Sequence, residues 1–147
     1  PAEFEEVMRI NEASYKRSER LKTRITKIIT ENESLFLTLT FNDDTLNSTT
    51  EKERRVAVTR YLKQYNCQYV ANIDYGAQNH REHYHAVIGC KHVDNEKWQK
   101  KYGAIKFERI RLKNNEEDIT KISKYIAKLS NHAIKETTKR SALIYSR

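Results

Sequence analysis

The run Leu35-Phe36-Leu37-Thr38-Leu39-Thr40-Phe41 alternates without interruption. Successive side chains of a strand point to opposite faces, so Leu35, Leu37, Leu39 and Phe41 share one face and Phe36, Thr38 and Thr40 the other. The leucine face belongs on a core. The threonine face carries two hydroxyls that either approach a ligand or, as β-branched residues, simply fill the sheet. A second run, Gln68 to Asp74, puts Tyr69, Ala71 and Ile73 on one side with Tyr75, and Val70, Asn72 and Asp74 on the other. The stretch Arg81-Glu82-His83-Tyr84-His85-Ala86-Val87-Ile88-Gly89 reads as a third strand and Ala104 to Leu112 as a fourth.

His83 and His85 stand two residues apart, so a strand presents both imidazoles on one face and Tyr84, Ala86 and Ile88 on the opposite one. Two neutral imidazoles on a rigid face make a natural divalent-metal site, although a surface strand carrying two polar residues gives the same pattern. If the second and third strands form an antiparallel hairpin, the loop from Tyr75 to Glu82 returns the chain so that Asp74 lies near the pair. Two histidines and a carboxylate would leave positions open for water and a phosphate, and a hard carboxylate suits Mg²⁺ or Mn²⁺. His80 is a weaker candidate, and Glu82 points away from the histidine face. A rival arrangement would gather Cys90, His92, His83 and His85 around zinc, but it lacks the paired spacing of structural zinc sites.

A third of the chain is charged, with one proline and three glycines in 147 residues, which favours regular elements in a single domain. The formal charge of +8 points to a polyanionic partner, nucleic acid before an anionic membrane. Cys67 and Cys90 fit reduced thiols in a cytosolic protein. No signal peptide, membrane span or P-loop motif is legible.

Glu3 to Thr30 reads as a helix with Leu21, Ile25, Ile28 and Ile29 facing the core. Arg17, Arg20, Arg24 and Lys27 form a second stripe that either tracks a phosphate backbone or is a solvated face. Asn42 to Ser48 reads as a turn-rich loop. Ser48 or Thr50 would cap a helix bearing Val58, Tyr61, Leu62 and Tyr65, with Lys52, Arg54 and Arg55 at its dipole-disfavoured end. Asp94 would cap a short helix to Lys101, with Gly103 as its C′ residue. On the fourth strand, Lys106, Arg109 and Arg111 add positive charge. The last helix, Glu116 to His132, is expected to bury Ile119, Ile122, Ile126, Leu129 and Ala133. Lys121, Tyr125, Lys128 and His132 would then share a polar, cationic face. Beyond Asn131 the chain is basic and then apolar, and either adds an edge strand or is disordered.

Three stretches in order, Phe36 to Phe41, His83-Tyr84-His85 and Tyr125-Ile126-Ala127-Lys128, resemble the motifs of HUH endonucleases. The chain is most similar to single-tyrosine rolling-circle replication initiators (Rep proteins) of small single-stranded-DNA phages and plasmids. The resemblance spans roughly Leu35 to Asn131. It implies an α+β fold, a central antiparallel sheet flanked by helices, with the N-terminal helix (1–34) preceding a catalytic core (35–133) and a tail (134–147). It implies a divalent metal, Mn²⁺ or Mg²⁺, on His83 and His85, with Asp74 where relatives often have glutamate. Tyr125 would be the nucleophile and Lys128 its cationic neighbour. Arg17, Arg20, Arg24, Lys27, Lys106, Arg109, Arg111, Lys121 and Lys124 would contact DNA. The implied partners are single-stranded DNA or an origin hairpin and the host helicase and polymerase, in the bacterial cytoplasm. The implied reaction is site-specific nicking and joining through a 5′-phosphotyrosine. A single-strand transposase, a relaxase or a non-catalytic nucleic-acid-binding domain are the alternatives.

Overall fold

The computed structural model describes residues 2–76, 80–130 and 143–147, apart from the side chains of residues 7, 10, 11, 13, 14 and 17. The expectations for the Arg17 side chain, His132 and Ala133 fall outside that range. The first alternating run forms β1 (Ser34–Thr40), and the hairpin forms β2 (Tyr69–Tyr75) and β3 (Glu82–Ile88). The fourth run gives β4 (Ile105–Ile110), and the end of the chain adds β5 (Leu143–Tyr145). All pairings are antiparallel, in the order β4-β1-β3-β2-β5, so the histidine strand is central. The tail left open by the sequence is thus an edge strand on β2.

Period-2 patterning assigns the two faces as the sequence implies. On one face Leu35, Leu37, Leu39, Phe41, Tyr69, Ala71, Ile73, Tyr84, Ala86 and Ile88 are buried. They lie beneath α3 (Glu51–Lys63) and α4 (Asn95–Lys101), which contribute Val58, Tyr61, Leu62 and Trp98. On the other face Phe36, Val70, Val87 and Ile110 pack against α1 (Ala2–Glu31) and α5 (Glu117–Ser130) through Leu21, Ile25, Ile28, Ile29, Tyr125 and Leu129. The result is an α+β fold, an antiparallel sheet flanked by helices.

Local chemistry sets the helix starts. Thr50 and Glu53 close a reciprocal capping box on α3, and Asp94 accepts from the Lys97 amide to start α4. The expected loop at 42–48 is instead a short helix, α2 (Asp43–Ser48), because the Asn42 side chain accepts from the Thr45 amide. Gly103 is not a left-handed helix terminator, since no glycine among the described residues has positive φ. It permits close approach instead: a Cβ there would meet Thr40 O at 2.5 Å, Asn42 N at 2.7 Å and Phe41 Cα at 2.8 Å.

The most consequential correction concerns the rotation of α5. Ile119, expected inside, is 72% exposed, whereas Tyr125, expected on a cationic outer face, is 1% exposed. The stripe turned to the sheet is Ile122, Tyr125, Ile126 and Leu129. The same i, i+3, i+4, i+7 rule is satisfied by shifting its origin one turn.

Candidate active site

α1 and α5 cover only part of their sheet face. At the other end of that face β2 finishes with Asp74 and β3 begins with His83 and His85, all three only partly buried. Register makes Asp74 the direct cross-strand partner of His83, and Thr38 that of His85. Both histidine Nε2 atoms lie 3.4 Å from Asp74 Oδ2. The potential ligand atoms of the three residues all fall within 4.8 Å of one another.

Hydrogen bonding orients this triad. His83 Nδ1 lies 3.1 Å from the carbonyl of Arg81, an acceptor only, so Nδ1 carries the proton and Nε2 presents its lone pair to Asp74. His85 Nδ1 lies 3.4 Å from Thr38 Oγ1, which leaves its Nε2 facing the same carboxylate. Asp74 Oδ1 accepts from the Tyr75 amide at 2.7 Å, and Oδ2 is the atom turned to the rings. Burial pushes the His85 pKa down and the neighbouring His83 adds to this, against the pull of Asp74. A neutral imidazole is the metal-binding form.

Two imidazole nitrogens and one carboxylate oxygen converging on one point fit a divalent cation. This donor set suits Mn²⁺ through nitrogen and either Mn²⁺ or Mg²⁺ through oxygen. Among the described residues no other cluster of three His, Cys, Asp or Glu side chains converges in this way. The rival zinc arrangement is therefore not formed. Cys90 and His92 follow the far end of β3, where the Cys90 thiol, its pKa raised to about 12 chiefly by burial, lies 3.5 Å from the carbonyl of His92.

Phe36 connects the triad to α5. Its ring stacks on His85 with centroids 5.4 Å apart and meets the Tyr125 ring at 5.1 Å. The Lys128 ammonium lies 4.8 Å from the same Phe36 ring, and Lys124 Nζ is 5.3 Å from the Tyr125 ring. The Tyr125 hydroxyl donates to Glu108 Oε1 at 2.9 Å, and Lys124 Nζ approaches the same oxygen at 3.4 Å. Burial first, then the bond to Glu108, raises the Tyr125 pKa above the ordinary phenol value. Conversely, the bond from Tyr125, followed by that from Lys124, lowers the pKa of Glu108.

Of the nine cationic residues expected to meet DNA, the structure gathers Lys106 and Lys124 near this end, Lys106 as the β4 partner of Thr38. Arg20, Arg24 and Lys27 line a separate groove with Tyr69, Ser146 and Arg147. Arg109 and Arg111 lie beside Lys91 and His92 in a depression under the end of α1. The Lys121 ammonium donates to the Arg111 carbonyl at 2.5 Å. Arg54 is occupied structurally: it forms a buried ion pair with Glu82 on the opposite face and also bonds the Thr49 carbonyl.

Two site residues escaped the sequence reading. Glu108 was hidden within a charged strand, although its i+2 relation to Lys106 on β4 places it on the face of Phe36, its cross-strand partner. Asn72 is 1% exposed, and its side-chain amide donates to the Leu129 carbonyl at 2.7 Å, tying the end of α5 to the strand beside His85. Its parity with Asp74 on β2 was the available signal.

A central antiparallel sheet carrying a His-x-His pair and a carboxylate on adjacent strand ends, with a tyrosine-bearing helix against the same face, defines a class of protein with a candidate metal centre. The sequence profile of a replication-associated protein family, the one typified by ORF2 proteins, matches residues 34–130, well over half of the chain, and the chain belongs to that family. The match runs from the first residue of β1 to the last of α5, so it includes the triad, Glu108 and Tyr125. No curated protein and no solved structure matches the chain. Among the described residues no helix is long and apolar enough to cross a membrane.

Proposed function

We propose that the protein is a single-tyrosine, HUH-type initiator that nicks and rejoins single-stranded DNA to start rolling-circle replication. The observation that carries this reading is the placement of Asp74, His83 and His85 on the open part of one sheet face. Tyr125 packs on that same face, with Phe36 touching both His85 and Tyr125. A divalent ion held by the triad would supply Lewis-acid polarisation of a non-bridging phosphate oxygen.

The Tyr125 phenol oxygen attacks phosphorus in line. The Tyr125 O–P bond forms as the bond to the 3′ oxygen breaks, leaving a 5′-phosphotyrosine and a free 3′-OH. The phosphotyrosine retains the energy of the cut linkage, so the 3′-OH can attack in reverse and rejoin the strand without ATP. Lys128, one turn after Tyr125, holds negative charge on the phosphate. Lys106 and Lys124 guide the strand across the open face, and the cations of α1 engage backbone further away. Host helicase and polymerase would extend the exposed 3′-OH.

The test is covalent capture. The protein is mixed with a labelled pool of single-stranded oligonucleotides and Mn²⁺, and resolved on a denaturing SDS gel. The expected result is an SDS-resistant adduct that disappears with EDTA and with Tyr125→Phe. An adduct that persists in Tyr125→Phe assigns the chemistry to another nucleophile. Retained binding with no adduct across the pool favours a non-catalytic nucleic-acid-binding domain.

A further inference from the structure

Tyr125 is a poor nucleophile as it stands. Its ring is enclosed by Phe36 and the sheet, and its hydroxyl proton is committed to one acceptor, Glu108 Oε1 at 2.9 Å. A phenol must lose that proton as it bonds to phosphorus, and a positioned base within hydrogen-bond reach is the usual means. The lysines nearby, Lys124 and Lys128, carry no acceptor while protonated. The triad of Asp74, His83 and His85 lies beyond Phe36, on the other side of that ring from Tyr125 in the chain of ring contacts.

We infer that Glu108 is a catalytic residue of the proposed reaction: its carboxylate aligns the Tyr125 hydroxyl, accepts its proton during strand cleavage and returns it on joining. This rests on the nicking function proposed above and assigns that site its base.

The balance is complete within the site. The Tyr125 O–H bond breaks and the proton passes to a Glu108 carboxylate oxygen. The phenol oxygen's electron pair forms the new bond to phosphorus. The bond to the 3′ oxygen breaks with its electron pair, and that oxygen takes a proton from water. In joining, the 3′-OH loses its proton to water, attacks the phosphotyrosine, and the departing phenolate recovers a proton from Glu108.

The geometry suits both directions. The Glu108 side chain is 48% exposed, so its proton can exchange with solvent between cleavage and joining. Lys124 Nζ at 3.4 Å keeps the carboxylate ionised in the resting state. The groups facing Glu108 are Tyr125, Lys124 and Lys128 of α5, while β1 presents the uncharged Phe36 as its partner. The two lysines and the phenol all favour the ionised carboxylate, in line with its lowered pKa.

Two experiments test the assignment. In the first, single-turnover adduct formation on the oligonucleotide pool with Mn²⁺ is compared between wild type and Glu108→Gln, which keeps an acceptor for the hydroxyl but removes its basicity. The expected rate loss is about 10²- to 10⁴-fold, the usual worth of a general base. The wild-type rate should also fall with decreasing pH, through a limb lying below the ordinary carboxylate range. In Glu108→Gln that limb should vanish, and in Glu108→Ala added formate should restore part of the rate. A wild-type adduct with an unchanged rate and pH profile in Glu108→Gln overturns the role of Glu108 and leaves the nicking function standing. No wild-type adduct overturns that function and the base with it.

The second experiment uses no DNA. With 13Cζ-labelled tyrosine, the Tyr125 phenol should titrate at lower pH in Glu108→Gln than in wild type, because the negative charge that raises it is removed. It should remain above an ordinary tyrosine, because burial persists. A Tyr125 titration that Glu108→Gln does not move shows that the contact is absent in solution, and overturns the inference.

Discussion

Asp74, His83 and His85 set three potential ligand atoms within 4.8 Å of one another on adjacent strands. The strands hold the side chains in place, so binding an ion costs little reordering, and an ion that binds only the folded state stabilises it by mass action. Mn²⁺ at about 100 times its dissociation constant should add about 2.7 kcal/mol. Thermal unfolding with and without Mn²⁺ checks this: His83→Ala and Asp74→Asn should melt at temperatures that Mn²⁺ no longer raises. At Tyr125 the expectation is a separation of stability from chemistry. Tyr125→Phe keeps the ring against Phe36 and removes one half-exposed hydrogen bond, so denaturant unfolding should show a loss of no more than about 1.5 kcal/mol. The covalent adduct, by contrast, should be lost entirely.

Between elements, the most buried ion pair joins Arg54 on α3 to Glu82 at the start of β3, at 2.5 Å and with side chains 11% and 6% exposed. Removing one partner strands the other charge, so Glu82→Ala should cost about 3–5 kcal/mol in urea denaturation. It would loosen the strand that begins one residue before His83. Gly103→Ala should cost about 1–3 kcal/mol in the same assay, because the new Cβ would collide with backbone at Thr40, Phe41 and Asn42, which cannot rotate away. These two features also mark the limits of what the sequence discloses. Period-2 alternation fixes which residues of β1, β2 and β3 face each way, and hence that His83, His85 and Asp74 share a face. The caps at Thr50 and Asp94 are legible because they are local. The pairing of Arg54 with Glu82 is not local, and the dipole-disfavoured position of Arg54 was its only trace. In α5, apolar residues at 119, 122, 126 and 129 and at 122, 125, 126 and 129 satisfy the same helical spacing. The choice between them is made by the sheet, where Phe36 receives the Tyr125 ring, Glu108 its hydroxyl, and Asn72 the Leu129 carbonyl.

At the scale of the molecule, the net charge of +8 is distributed in distinct zones rather than concentrated on the triad. Lys106, Lys124 and Lys128 border the candidate active site, while Arg20, Arg24 and Lys27 line a groove near Tyr69, the opposite end of β2 from Asp74. Five residue steps along a strand span roughly 17 Å, so one nucleic acid running from triad to groove would neutralise cations in both zones. Each phosphate neutralised releases condensed counterions, and the slope of log affinity against log salt counts them at about 0.7 per phosphate on a single strand and about 0.9 on a duplex. Arg24 is a poor probe of this, because its guanidinium stacks on Tyr145 at 4.0 Å and its loss would disturb β5 as well. Arg20 and Lys27 have no such second effect among the contacts of the groove, so the double substitution Arg20→Gln, Lys27→Gln is the cleaner test. Binding of a hairpin oligonucleotide measured by fluorescence anisotropy over a salt series should lose about 1.8 from its slope if the groove holds the duplex stem, and about 1.4 if it holds the single strand. An unchanged slope would mean that the stripe on α1 is a solvated face, and that the DNA path is confined to the end of the sheet where the histidines lie.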